Sequence, residues 1–361
     1  MDKDCLFFYR KKKVFITGHT GFKGSWLMVL LNYLGADIAG YSLDSNGEES
    51  LFNEIKNSIS CDTKYGDIRN AEYFDKVFNE VQPDIVFHLA AQPLVRDSYF
   101  NPRYTFETNF NGTLNLLESL RNFSKPCNVV IITTDKVYES REWVYPYREI
   151  DRLGGNDPYS SSKACVEGLV NSYVTSFFSP QRYQEHKKII TVARAGNVIG
   201  GGDWSSDRII PDFFRALQEG KKLYVRNPAS IRPWQHVIEP LYGYLLLAYK
   251  ADTDPLSFVG PWNFGPYSNE SISVKELIEF CISVIGKGSM ESGNGKSGFH
   301  ETNILRLDIT KAEKRLLWKP KWSTKTAISR TVNWYNDVYF NKQSAFDLML
   351  MDIKDYLESE F

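Results

Sequence analysis

An apolar run, Val14-Phe-Ile-Thr17, breaks into Gly18-His-Thr-Gly21-Phe-Lys-Gly24 and passes at once into a helical pattern. Trp26, Leu27, Leu30, Leu31 and Leu34 fall on one face at helical spacing, and Gly35 supplies the stop. Three glycines between a strand and a helix do separate jobs. Gly18 takes a tight turn that a Cβ would obstruct, Gly21 lets the backbone approach phosphate oxygens, and Gly24 lets the helix pack close on the strand. The free N–H groups of the helix then face negative charge. The stretch predicts a dinucleotide pyrophosphate cradle, with Thr20, Phe22 and Lys23 on its wall.

The spacing narrows the class. Gly18-x-x-Gly21-x-x-Gly24 has a wider first gap than GxGxxG and resembles the short-chain dehydrogenase/reductases, the extended ones especially. Such enzymes carry Tyr-x-x-x-Lys, and three matches occur: Tyr9 to Lys13, Tyr159 to Lys163 and Tyr183 to Lys187. Tyr9 precedes the first strand and Tyr183 lies in a charged connection. Tyr159 opens a helix-like run over 160–178, the position that suits the chemistry.

Strand-length apolar runs recur at 14–17, 37–41, 85–89, 129–133 and 189–195, with helix-length segments such as 71–81 and 108–122 between them. Alternation of this kind predicts an α/β fold: a doubly wound parallel sheet of modified Rossmann type. Ligands in such sheets lie beyond the carboxyl ends of the strands. Those ends carry Thr17-Gly18, His88 to Ala91, Thr133 to Lys136 and Arg194 to Asn197. After Gly200-Gly201-Gly202 the alternation becomes irregular. We divide the chain into a dinucleotide-binding domain over 13–200, a smaller carboxyl-terminal substrate domain over 201–340 that interleaves with it, and a tail over 341–361.

With 43 Lys and Arg against 44 Asp and Glu, the net charge of −1 carries no nucleic-acid footprint. The apolar run over 6–9 is too short for a signal peptide or a membrane span, so a cytoplasmic location is expected. Cys5, Cys61, Cys127, Cys165 and Cys281 form no CxxC pair, which predicts free thiols and no metal site.

Longer strings are more specific. Thr17 to Gly24, His88-Leu-Ala-Ala-Gln-Pro-Leu-Val-Arg96, Thr134-Asp-Lys136, Arg194 to Trp204 and Ile231-Arg-Pro-Trp-Gln-His-Val237 together resemble the CDP-glucose 4,6-dehydratases, a family of extended short-chain dehydrogenase/reductases. The resemblance implies oxidation of a sugar C4 hydroxyl by NAD, loss of water across C5 and C6, and return of the hydride to C6. A C4 ketone is what makes the C5–H acidic. It also implies a sugar nucleotide as ligand, a homodimer through helices 108–122 and 159–178, and no membrane or nucleic-acid partner.

Roles follow from the same resemblance, tested against the chemistry of each side chain. Tyr159 takes the C4 hydroxyl proton, and Lys163, one turn on, is the cation expected to lower its pKa. Thr134 bonds the C4 oxygen. Asp135 protonates the departing C6 hydroxyl and so must hold a proton itself. Lys136 stands where related dTDP-glucose dehydratases carry Glu, either as the neutral C5 base or as a cation stabilising the enolate.

The resemblance implies that Asp67 of Gly66-Asp67-Ile68 meets the adenine and that Ile68 and Leu89 also touch the cofactor, while Ala90 and Ala91 let the backbone pass close to the dinucleotide. Ser42 occupies the usual ribose-acid position with Asp44 two residues late, and no arginine follows, which favours NAD while leaving NADP open. Arg208 and Arg232 are the candidate diphosphate clamps. Asn197 and the 200–202 glycines admit the sugar phosphate, and His300 with Glu301 reaches the nucleotide ribose. His19, His88, Trp204 and Trp234 are read as packing residues. Two other functions compete: a 4-epimerase or a dehydratase for another base, and a silent NAD-binding regulator. An epimerase has no use for Asp135 and Lys136 as an elimination pair.

Overall fold

The computed structural model describes residues 3–45, 49–293 and 305–359. Seven parallel strands form the central sheet: β1 (Lys13–Thr17), β2 (Asp37–Ser42), β3 (Asp62–Tyr65), β4 (Ile85–His88), β5 (Cys127–Ile132), β6 (Lys188–Ala195) and β7 (Gly260–Phe264). Their order is β7-β6-β5-β4-β1-β2-β3. The order in which strands are added reverses between β1 and β4, which opens the crevice where doubly wound folds bind ligands.

Period-two alternation sends side chains to two faces. Val14, Ile16, Val130 and Ile132 join one apolar core, and Phe15, Val129 and Ile131 join the other. Burial on both faces explains why Val129 to Ile132 of β5 read as an unbroken apolar run, with all six residues of the strand buried. Two strands escaped the sequence reading. β3, Asp-Thr-Lys-Tyr, is a polar edge strand, and β7, Gly-Pro-Trp-Asn-Phe, lacks the usual strand composition.

Helix α1 (Phe22–Tyr33) follows the glycine turn, and Gly35 ends it with φ +76°. Asn70 caps α2 (Ala71–Val81) by accepting from Tyr73 N at 3.1 Å. The segment expected as one helix over 108–122 divides into a π-helical turn, Glu107–Asn111, and α3 (Gly112–Asn122). Helix α4 spans Pro158–Ser176, started by Pro158 at its first turn and by Asp157, whose carboxylate accepts from Ser160 N at 2.9 Å.

Beyond β6 the chain makes two-stranded ribbons: Val198–Ile199 with Gln235–His236, Ile231–Arg232 with Ile272–Ser273, and Leu223–Val225 with Met290–Ser292. Helix α5 (Ile238–Thr253) packs on β5 and β6, and β7 lies beside β6. Residues on both sides of position 200 therefore share the sheet and its core.

The described residues of the tail, 341–359, are largely helical. Helix α6 (Thr324–Tyr335) leads to α7 (Ala345–Glu358), which packs against α1. Tyr356 on α7 donates to the buried Glu239 carboxylate at 2.7 Å, and Asp352 pairs with Arg330 at 2.8 Å. No helix among the described residues is long and apolar enough to cross a membrane.

Candidate active site

Two cavities open at the carboxyl ends of the strands. The smaller, about 430 Å³, is lined by Gly18, Thr20, Gly21, Phe22, Lys23 and Gly24 below, and by Asp67, Ile68, Leu89, Ala90 and Ala91 along the crevice. The larger, about 830 Å³, runs outward over Arg96, Arg208, Arg226 and Arg232. Asp135, Lys136, Asn197 and Arg208 belong to the walls of both. The two spaces meet there.

Each glycine of the cradle has its own geometry. Gly18 sits at φ +77°, and a Cβ on it would meet Ala90 N at 2.7 Å; one on Gly24 would meet Gly18 O at 2.2 Å. A Cβ on Gly21 would come no nearer the protein than 3.4 Å, although Gly21 lines the cavity. The fold itself does not need a glycine at 21. What needs it is space in the cavity, which fits a ligand whose phosphates approach the backbone.

Ile68 is buried and Asp67 accepts from Arg69 N at 2.9 Å and pairs with its guanidinium at 2.7 Å, which holds its carboxyl below the usual range. Thr20 and Ser42 hydroxyls lie 2.7 Å apart at the end of β2. Asp44 is exposed and stands one residue beyond Leu43, which with Ser42 lines the cavity; β2 ends at Ser42 and the chain leaves the sheet there.

Tyr159 and Lys163 stand on the first turns of α4, both buried, with Lys163 Nζ donating to Ile132 O at 3.1 Å. The competing Tyr-x-x-x-Lys matches go elsewhere: Tyr9 donates to Leu245 O at 2.6 Å in the core, and Tyr183 starts a short helix, Tyr183–His186. Burial pushes the Tyr159 phenol up to about 12, opposed first by its hydrogen bond with Thr134 and then by Arg208. Arg208 is thus a cation that acts on the phenol, one the sequence reading did not assign to it. Lys163 is itself pushed down to about 8 by burial and by Lys23.

The β5 end turns Thr134, Asp135 and Lys136 into the shared wall. Thr134 donates to Asp135 Oδ1 at 2.9 Å and accepts from Lys136 N at 3.3 Å. Burial raises the Asp135 pKa, and Lys136, Thr134, Arg232 and Lys23 oppose it. Burial lowers the Lys136 pKa; Asp135 opposes, while Arg208 and Arg232 add to the lowering. Lys23 is pushed down to about 8 by burial and Arg208. A carboxyl whose pKa is raised beside an ammonium whose pKa is lowered suits an acid and base pair.

The structure also adds residues that the sequence reading did not single out. Tyr104, Thr108, Gly196 and Ser205 line the smaller cavity. At the mouth of the larger one Asp207 pairs with Arg96 at 2.6 Å and with Arg226 at 3.2 Å. Arg96 ended a quoted string, but nothing in the sequence joins it to 207 or 226. Arg208 and Arg232 line the larger cavity, and His300 and Glu301 lie outside the described residues. His88 bridges Thr17 and Thr113 at 2.7 and 3.0 Å, and His19 is buried against Phe52; burial pushes both imidazoles down, to about 3 and about 4. Among the described residues no cluster of three or more His, Cys, Asp or Glu could hold a metal ion.

Known proteins share this architecture. The chain is similar to CDP-glucose 4,6-dehydratase of Salmonella typhimurium, 41% identical over 352 residues that cover 98% of each chain. It is 32% identical to CDP-paratose 2-epimerase of Salmonella typhi, over 90% of this chain and all of that one. Its fold matches the dTDP-glucose 4,6-dehydratase of Bacillus anthracis solved with NAD (TM-score 0.73, 24% identity, 91% and 98% covered). It also matches the epimerase Mth375 of Methanothermobacter thermautotrophicus (TM-score 0.79, 22% identity, 94% and 96% covered). The model of the GDP-mannose 4,6 dehydratase family spans residues 15–331, and the chain belongs to that family, within the extended short-chain dehydrogenase/reductases.

Proposed function

We propose that the protein converts CDP-glucose to CDP-4-dehydro-6-deoxyglucose, with NAD as its cofactor. The observation that carries the reading is the shared wall: Asp135 and Lys136 stand where both cavities meet, next to Thr134, which bonds the Tyr159 phenol. An epimerase needs the phenol and has no work for the acid and the amine. The 41% identity to a CDP-glucose 4,6-dehydratase over nearly the whole chain supports the base and the sugar.

In this proposal residues 13–200 chiefly hold the dinucleotide and residues 201–340 chiefly supply the substrate side. Gly18, Thr20, Gly21, Phe22, Lys23 and Gly24 hold the dinucleotide from below, and Asp67, Ile68, Leu89, Ala90 and Ala91 hold it along the crevice. A nicotinamide held there would supply the hydride acceptor for C4 and the donor that returns the hydride to C6. Tyr159 takes the C4 hydroxyl proton while Thr134 bonds the same oxygen, and Lys163 holds the phenol's neighbourhood cationic. Lys136, neutral, removes the C5 proton, Asp135 gives its proton to the C6 hydroxyl so that it leaves as water, and the Lys136 ammonium, which exchanges with solvent, returns a proton to C5 as hydride reaches C6.

The signs agree with the surroundings. A raised carboxyl pKa keeps Asp135 protonated to higher pH, and a lowered ammonium pKa frees Lys136 at lower pH. Arg208 and Arg232 take the diphosphate and Asn197 the sugar. The assembly proposed is a cytoplasmic homodimer, with α3 and α4 at its interface.

The test is a screen of CDP-, dTDP-, GDP- and UDP-hexoses by mass spectrometry for loss of one water. CDP-glucose should be dehydrated fastest, and its product should develop the near-ultraviolet absorbance that 4-keto sugars show in alkali. Isomerisation without loss of mass would support the epimerase instead.

A further inference from the structure

One buried ion pair takes no part in the steps above. Glu167 and Arg194 are 4% and 3% exposed at their side chains. Arg194 Nε lies 2.8 and 3.0 Å from the two carboxylate oxygens. The same carboxylate accepts from the Thr133 hydroxyl at 2.8 Å. The guanidinium also donates to the Tyr138 hydroxyl at 2.7 Å, and Tyr138 lines the larger cavity.

The placement matters more than the charge. Glu167 stands one turn beyond Lys163 on α4, so it is rigidly tied to Tyr159 and Lys163. Thr133 immediately precedes Thr134, Asp135 and Lys136 at the end of β5. A single carboxylate therefore connects the helix that carries the oxidising pair to the strand end that carries the eliminating pair. Arg194, on β6, holds the carboxylate from the other side. A buried pair of this kind is weak evidence for stability, since an apolar pair of the same volume often serves as well. Its value lies in the geometry it imposes.

We propose that Glu167 is a positioning residue. Through Thr133 and Arg194 it fixes the separation of Tyr159 and Lys163 from Asp135 and Lys136, so that oxidation at C4 and elimination across C5 and C6 act on one hexose in one place. This rests on the dehydratase reading above. Displacement of about 1 Å between reacting groups costs up to roughly a hundredfold in rate. The elimination should suffer most, because it needs both groups in register with a sugar already fixed by the first step.

Thr133→Val keeps the side-chain shape, removes one hydrogen bond and leaves Glu167 neutralised by Arg194. Glu167→Gln is the stronger variant, and if it fails to fold the valine variant still decides. For Thr133→Val, kcat should fall roughly ten- to a hundredfold with KM for CDP-glucose little changed. Rapid quenching should reveal the oxidised, undehydrated 4-keto-glucose nucleotide at the expense of dehydrated product. A crystal structure of the variant without nucleotides should have Tyr159 drawn away from Thr134. Wild-type kcat and an unchanged ratio of the two sugars, or a loss that only tracks the folded fraction, would overturn the proposal. A wild-type protein inert on every nucleotide hexose would instead refute the dehydratase reading and the proposal with it.

Discussion

The smaller cavity is shaped by what its residues lack, and the larger by what its residues carry. Around the first, glycines and Ala90-Ala91 bring backbone to the wall, and its tolerances are steric: Gly24 cannot take a methyl group, while Gly21 has room for one. Around the second, four arginines share the wall with six aspartates, Asp135 and Asp207 among them, and its tolerances are electrostatic. The lesson lies where they join. Asp135 and Lys136 have their ionisation set by burial and by the cations of both cavities, so the chemistry belongs to neither alone.

Breaking the junction should give the largest effect. Lys136→Ala should lower solvent deuterium exchange at C5 by about a hundredfold or more while C4 oxidation persists; wild-type exchange would remove Lys136 from the mechanism. Next come the two glycines. Gly24→Ala forces its Cβ to 2.2 Å from Gly18 O and should cost about 1–3 kcal/mol of stability in urea unfolding. Gly21→Ala should leave stability nearly unchanged yet weaken NAD binding roughly tenfold by calorimetry. Equal stability losses for the two would erase the distinction between packing and ligand space.

Arg208→Met sharpens the electrostatic side. Arg208 lowers the Tyr159 pKa, so its loss should move the acid limb of kcat toward higher pH. A shift in the other direction, or a change confined to KM, would make Arg208 a phosphate ligand only. Asp44→Asn should be the smallest change of all, with NAD affinity unaltered, since Asp44 lies outside the cavity wall.

How much was legible in the sequence follows the same division. The glycine turn, the Tyr159–Lys163 spacing and Thr134-Asp135-Lys136 are short and local, so chain order alone brings their parts together. β7 was hidden because Gly260-Pro261-Trp262-Asn263-Phe264 is held by pairing with β6 and burial of Trp262, not by strand propensity. The contacts of Asp207 with Arg96 and Arg226, and of Glu167 with Thr133 and Arg194, join residues 19 to 111 positions apart. Only the folded topology creates them.

The central claim is that one hexose is oxidised at C4 and loses water across C5 and C6 within a single site. Incubation with CDP-glucose and NAD in deuterated water, read by NMR and mass spectrometry, tests it most directly. The account predicts a 4-keto product lighter by one water and carrying solvent deuterium at C5. A nucleotide sugar of unchanged composition, inverted at C4 and free of deuterium at C5, would contradict it.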